Sequence, residues 1–165
     1  MHKGLVGAGN LNIELQNVLN PEPDNLTRGG KNFRINDKVM QIRNNYEKEV
    51  FNGDLGRIIK IDLEAQEVII DFDGSQVAYD YSDLDEVVPA YAISIHKSQG
   101  SEYPIVILPV LNEQKIMLQR RLLYTAITRA SKSLILIGEK SAFAYGLSRK
   151  DENPRKTYLL EYLCE

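Results

Sequence analysis

Three rhythms of apolar and polar residues follow one another along this chain. From Asn10 to Leu19, Leu11, Leu15, Val18 and Leu19 recur at helical spacing with polar residues between them. Asn10 is placed to cap such a helix and Pro21 to end it. Pro21, Pro23, Gly29 and Gly30 predict a loop from Pro21 to Lys31. The spacing then shortens to two. Across Asp37 to Arg43, Val39, Gln41 and Arg43 alternate with Lys38, Met40 and Ile42, as in a strand. Asn52-Gly53 is a turn signal. Gly56 to Leu63 (with Ile58, Ile59 and Ile61) and Gln66 to Phe72 (with Val68, Ile69 and Ile70) read as strands. Asp73-Gly74 predicts a tight hairpin into a further strand, Gln76 to Tyr81. Short strands closed by tight turns predict a small barrel over Phe33 to Val88.

After Pro89 the third rhythm begins. Tyr91 to Ile95 predicts a short apolar strand, and the continuous run Ile105 to Val110 a buried parallel one. Lys115 to Arg129 has a helical pattern, with Ile116, Leu118, Leu122, Leu123 and Ile127 apolar. Ser133 to Ile137 predicts another buried strand, ended by Gly138; Ser141 to Leu147 and Lys156 to Leu163 predict helices. Strand, helix, strand, helix is the order of a parallel α/β layer. The expected architecture is therefore an α/β domain, residues 1–32 and 89–165, interrupted by a small β-barrel at 33–88.

Charge changes this picture more than composition does. The net charge of −3 argues against a nucleic-acid protein. Its distribution reverses the argument. Ile61 to Pro89 holds nine acidic residues and no Lys or Arg, whereas Met1 to Lys60 carries a net +2 and Ala90 to Glu165 a net +4. A phosphate-binding surface is expected on the flanks and not on the acidic block. No apolar run reaches the length of about 18 residues that a membrane helix needs, so no membrane partner is expected. Met1 to Asn10 lacks the pattern of a secretory signal, and the single cysteine, Cys164, cannot staple a fold. The expected location is cytoplasmic. The two histidines and Cys164 have no metal-ligand spacing, and no metal site is expected from the aspartates of the acidic block.

Two clusters could carry chemistry. The first runs Ala92-Ile93-Ser94-Ile95-His96-Lys97-Ser98-Gln99-Gly100-Ser101-Glu102. Polar residues crowd here at the expected carboxyl end of a strand, the edge where open α/β sheets bind ligands. Ser94 and His96 offer hydrogen bonds, Lys97 offers charge, and Gly100 lets a ligand approach the backbone. A solvated turn with Gly100 as its bend is the alternative. The second cluster is Leu122-Leu123-Tyr124-Thr125-Ala126-Ile127-Thr128-Arg129-Ala130. Read alone, Arg129 is a cation complementing a helix C-terminus. Read functionally, it is an arginine finger, whose fixed fork binds phosphate bidentately and keeps its proton.

Ile95 to Glu102 resembles motif V of superfamily 1 helicases, and Leu123 to Ala130 resembles motif VI. The branch resembled is the RecD-like one, which includes exodeoxyribonuclease V alpha subunits. Met1-His2-Lys3-Gly4, with Leu11-Asn12, Leu15-Gln16 and Leu19-Asn20-Pro21, resembles the segment after that branch's motif IV strand. Asn36 to Tyr46 and Val50 to Gly56 resemble its inserted SH3-like barrel. The resemblance implies one RecA-like lobe of a 5′-to-3′ DNA translocase in which two lobes clamp ATP and Mg2+. It implies that Arg129 senses the γ-phosphate and that Gly100 and Glu102 lie near the nucleotide. It places Ser94, where the family often has Thr, with His96 and Lys97 on the single-stranded DNA track. Lys3 matches a basic γ-phosphate contact, although it lacks the fork of Arg.

The chain has no Gly-x-x-x-x-Gly-Lys-Ser/Thr phosphate cradle; Gly29-Gly30-Lys31-Asn32 lacks the hydroxyl and the earlier glycine. Val68 to Asp73 superficially resembles a Walker B strand, but Asp73-Gly74 makes it a hairpin arm. The expected lobe is thus of the P-loop NTPase type without the P-loop. The nucleotide-binding lobe is expected upstream of Met1, and the chain alone is expected not to hydrolyse ATP. A different class of reading makes the chain a non-enzymatic interaction module whose barrel binds a protein, such as another subunit of a recombination complex. Tyr46 and Phe51 could stack on a base or serve the barrel rim.

Overall fold

In the computed structural model, which describes residues 6–23 and 26–149, the first helical rhythm becomes α1 (Ala8–Leu19). Gly7 stands at its N-cap, so Asn10 lies inside the first turn and does not cap it. The expected loop at 21–31 instead carries a hairpin, β1 (Leu26–Arg28) and β2 (Lys31–Phe33). Arg28 pairs with Lys31 across Gly29 and Gly30, whose φ values are +57° and +71°. A Gly-Gly pair accepts two positive φ angles without steric cost, which makes it a two-residue hairpin turn as well as a loop signal.

The period-two segment forms β3 (Lys38–Gln41), β4 (Leu55–Asp62), β5 (Glu67–Phe72), β6 (Ser75–Asp80) and β7 (Val87–Pro89). They make one antiparallel sheet in the order β6-β5-β4-β3-β7. The Asp73-Gly74 hairpin closes with Phe72 opposite Ser75, as its dipeptide predicts. Val68, Ile70 and Phe72 point inward along β5 and share a core with Phe33, Val39, Ile58 and Tyr79. A bulge between Ile58 and Lys60 explains the uneven isoleucines of β4: Ile58 is buried, Ile59 exposed, and Ile61 packs at the core's edge.

The joint between α1 and this sheet is polar. Asn12, Gln16 and Asn20 form an i, i+4, i+8 stripe, and Gln16 and Asn20 are buried while Val18 and Leu19 are exposed. The target of Gln16 and Asn20 is Asp37, which is 0% exposed. Its Oδ2 accepts from Gln16 Nε2 (2.6 Å) and Arg34 N (2.8 Å), and its Oδ1 from Asn20 Nδ2 (2.8 Å) and the Tyr91 hydroxyl (2.8 Å). A buried carboxylate is tolerated when donors replace its lost hydration.

The third rhythm gives β8 (Tyr103–Val110), α2 (Arg120–Ile127), β9 (Ala130–Gly138) and α3 (Lys140–Ser148). β8 and β9 pair in parallel, from Ile105 opposite Ser133 to Val110 opposite Gly138. Three expectations are corrected here. Residues 91–95 form no strand. The helix expected from Lys115 begins only at Arg120, since 115–119 is turn and extended backbone in which Leu118 is buried and Ile116 exposed. The parallel strands are buried only in part: Leu108 and Val110 are buried, but Ile105, Ile107 and Ile137 are each more than half exposed. A parallel pair buries both faces only between covering layers, and no third strand flanks it among the described residues. The expected helix at Lys156–Leu163 lies outside the described residues.

By compactness the chain divides into Met1–Lys97 and Ser98–Glu165. This groups α1 and residues 90–97 with the barrel, where chain order groups them with the α/β segment.

Candidate functional site

In the second unit, the parallel pairing of β8 and β9 sets the segments that lead into the two strands side by side. Gly100, Ser101 and Glu102 lead into β8, and Arg129 leads from α2 into β9. Tyr103 N donates to Arg129 O at 2.8 Å, which ties these lead-in segments together. The cluster therefore sits at the amino ends of these strands. The expectation of a strand's carboxyl edge is overturned, because the segment ahead of it, 91–95, forms no strand and pairs with none among the described residues. Gly100 has a φ of +87° and an exposed backbone, so a side chain there would strain the turn without clashing. Glu102 is exposed.

Arg129 is half-buried and oriented by three acceptors. Its Nε donates to Thr125 O (3.2 Å), one terminal nitrogen to Ser101 O (2.8 Å), and the other to the Thr128 hydroxyl (3.4 Å). A guanidinium has five N–H donors, so each terminal nitrogen keeps one for an incoming anion. The Thr125 contact is also what a helix-end cation would make. That contact uses Nε, so it leaves the remaining N–H groups of the terminal nitrogens unspent.

The first unit carries Ser94, His96 and Lys97. Lys97 N donates to Ser94 O (3.0 Å) and to Ser94 Oγ (3.4 Å), so the serine hydroxyl helps to build the turn. His96 is exposed and Lys97 partly buried. Nearby, Lys31 Nζ donates to Val87 O at 2.8 Å. Burial pushes the Lys31 ammonium below the usual lysine value; Asp85 opposes that, and the charges of Lys97 and Arg43 add to it. Lys31 is thus a second cation in the neighbourhood of Lys97. The sequence pattern gives no sign of it, because 66 residues separate the two positions. Lys3 lies outside the described residues.

The acidic block is partly spent within the barrel. Asp83 pairs with Lys48 (3.3 Å) and Asp85 with Arg43 (3.1 Å), and Glu86 accepts from Gln41 and Asn45. Among the described residues no three His, Cys, Asp or Glu side chains converge as metal ligands. No helix among them is long and apolar enough to cross a membrane. The donors of Arg129 fit a phosphate oxygen.

Residues 11–72 match the ATP-dependent RecD-like DNA helicase SH3 domain, and residues 89–137 the UvrD-like helicase C-terminal domain. The chain is 38% identical over 162 residues to the ATP-dependent RecD2 DNA helicase of Deinococcus radiodurans, covering 98% of this chain and 22% of that protein. It is 32% identical over 114 residues to the RecBCD enzyme subunit RecD of Mycobacterium tuberculosis, covering 68% of this chain and 19% of that subunit. The chain thus spans only a minor part of the length of these relatives. In fold it is similar to the Pif1 helicase from Bacteroides crystallised with ADP-AlF3 and ssDNA (TM-score 0.63, 16% identity, 94% of this chain and 41% of that one). It is also similar to the Pif1 helicase from Candida albicans (TM-score 0.52, 18% identity, 92% and 40%).

Proposed function

This chain belongs to the RecD-like family of superfamily 1 DNA helicases, and we propose that in its parent it is the second RecA-like lobe, residues 1–32 and 89–165, with the SH3-like barrel inserted at 33–88. The parent is an ATP-dependent 5′-to-3′ DNA translocase, and this lobe closes over a nucleotide held mainly by the other lobe.

The observation that carries this reading is Arg129. Its side chain is held by Thr125, Ser101 and Thr128 with one N–H left on each terminal nitrogen. Phosphoryl transfer spreads charge over the equatorial oxygens of the γ-phosphate, and a pre-oriented guanidinium stabilises it. Gly100 and Glu102 border Arg129 at the amino ends of β8 and β9 and would lie beside the nucleotide. Lys3 is assigned to the γ-phosphate by sequence position. Ser94, His96 and Lys97 contact phosphates of the single strand, with Lys31 adding charge. The acidic, internally paired barrel face is kept off the DNA.

The test is DNA-stimulated ATP hydrolysis by this chain, by the full parent and by the parent carrying Arg129→Ala. The chain alone is silent, because it has no phosphate cradle, and the parent is active. The variant falls by on the order of 10³. Parental activity in the variant makes Arg129 a helix-end cation only, and hydrolysis by the chain alone refutes the two-lobe reading.

A second reading rests on the barrel surface. Tyr46 and Phe51 stand edge to face at 6.0 Å, Tyr46 being 76% exposed. This is a suitable anchor for a protein partner such as another subunit of a recombination complex. If pull-downs with the parent recover the same subunits after Tyr46→Ala and Phe51→Ala, that reading fails.

A further inference from the structure

The segment 91–97, which carries Ser94, His96 and Lys97, forms no strand, yet the chain is pinned at three consecutive residues as it enters this segment. Ala90 N donates to Lys38 O at 2.8 Å. The Tyr91 hydroxyl donates to Asp37 Oδ1 at 2.8 Å. The Asn12 side chain then grips both backbone groups of Ala92: Nδ2 donates to Ala92 O (2.7 Å), and Ala92 N donates to Oδ1 (3.0 Å). One amide side chain makes the pair of bonds that a neighbouring strand would have made. Residue 94 lies two positions beyond Ala92.

We infer that Asp37, Tyr91 and Asn12 are positioning residues that place Ser94, His96 and Lys97 against DNA, so that the barrel and α1 together set the grip of this lobe. The inference rests on the DNA-track reading of those three residues. Its physical basis is the choice of polar over apolar packing. Hydrophobic contacts are non-directional and tolerate sliding, whereas hydrogen bonds to a fixed, buried carboxylate have one good geometry. Gln16 donates to Asp37 Oδ2, and Asn20 and Tyr91 both donate to Oδ1, so the carboxylate ties helix, barrel and segment 91–97 at a single point.

Tyr91→Phe removes only the hydroxyl pin, and a double-mutant cycle with Lys97→Ala in the full-length parent separates positioning from general stability. The readouts are single-stranded DNA affinity and the DNA concentration giving half-maximal ATPase stimulation. DNA-independent ATP hydrolysis and Tm are followed as controls. Tyr91→Phe is expected to weaken DNA affinity by about tenfold, the scale of one hydrogen bond to a charged group, with DNA-independent hydrolysis unchanged. In the Lys97→Ala background the same change should cost little more. If Tyr91→Phe leaves affinity unchanged while Lys97→Ala weakens it, the inference fails and the DNA-track reading stands. Fully additive losses also overturn it. If Lys97→Ala itself has no effect, the track reading fails and takes the inference with it. Should Tyr91→Phe bring Tm into the assay range, Asn12→Ala, which leaves the bonds to Asp37 in place, enters the same cycle with the same outcomes.

Discussion

At the scale of single residues, burial and partners decide what each polar group does. Arg129 and Asp37 show the two cases. Arg129 keeps donors facing outward, while Asp37 turns all its acceptor capacity inward. Two tyrosines, Tyr79 buried and Tyr91 partly buried, supply a prediction at this scale. Tyr91 is pushed up to about 12, first by burial and then by its hydrogen bond to Asp37. Tyr79, fully buried and donating to Gln41 Oε1 (3.0 Å), is pushed higher still, by burial and by the charges of Glu86, Asp54 and Asp83. A folded-state value above the unfolded one near 10 means that the unfolded chain releases its proton first. The stability these groups contribute is complete below about pH 10 and is lost as pH rises through the folded value. Denaturant midpoints should therefore hold up to about pH 10 and fall above it, and Tyr91→Phe should flatten part of that fall. A fall of unchanged steepness in the variant would show that Tyr91 does not contribute.

At the scale of elements, tight turns and alternation make the barrel legible, and inward alternation makes it stable. Ile70 is fully buried at the centre of β5, flanked by β4 and β6. Ile70→Ala should cost about 2–5 kcal/mol, read as a lower denaturant midpoint at unchanged slope. A cost below about 0.5 kcal/mol would show that the core does not close around it. In α1 the apolar positions are the visible stripe, yet the face it buries is Asn12, Gln16 and Asn20. Helical periodicity marks two faces, and only the partner surface, here a buried aspartate, says which is inside. The segment 91–95 departs from expectation for a different reason. Its composition suits a strand, but a strand needs a neighbour, and an asparagine side chain took that place.

At the scale of the whole molecule, the net charge of −3 conceals an uneven field. The acidic block neutralises itself in part through Lys48 and Arg43, while Lys31 and Lys97 share one neighbourhood. Single-stranded DNA binding should therefore be weak and should fall as salt rises, with a log–log slope of about −0.7 for each phosphate neutralised. Lys97→Ala should reduce that slope by about one such step and weaken all sequences alike. A sequence-selective loss, or binding indifferent to salt, would count against a phosphate track.

The sequence by itself determined the family, the inserted barrel, the parallel pair with its intervening helix, and the residue types of the two motifs. Each of these is written in local spacing: period two or 3.6, paired turn residues, short runs in fixed order. Only the tertiary structure decided which face of α1 is buried, that the chain entering 91–97 is pinned by side chains of α1 and the barrel, and that Gly100, Glu102 and Arg129 stand at the amino ends of β8 and β9. It also decided that Lys31 joins Lys97. These facts depend on residues far apart in the chain, such as Asn12 with Ala92 and Asp37 with Tyr91. A hydrogen bond between them has no local signature, because its geometry exists only once the intervening chain has closed the loop.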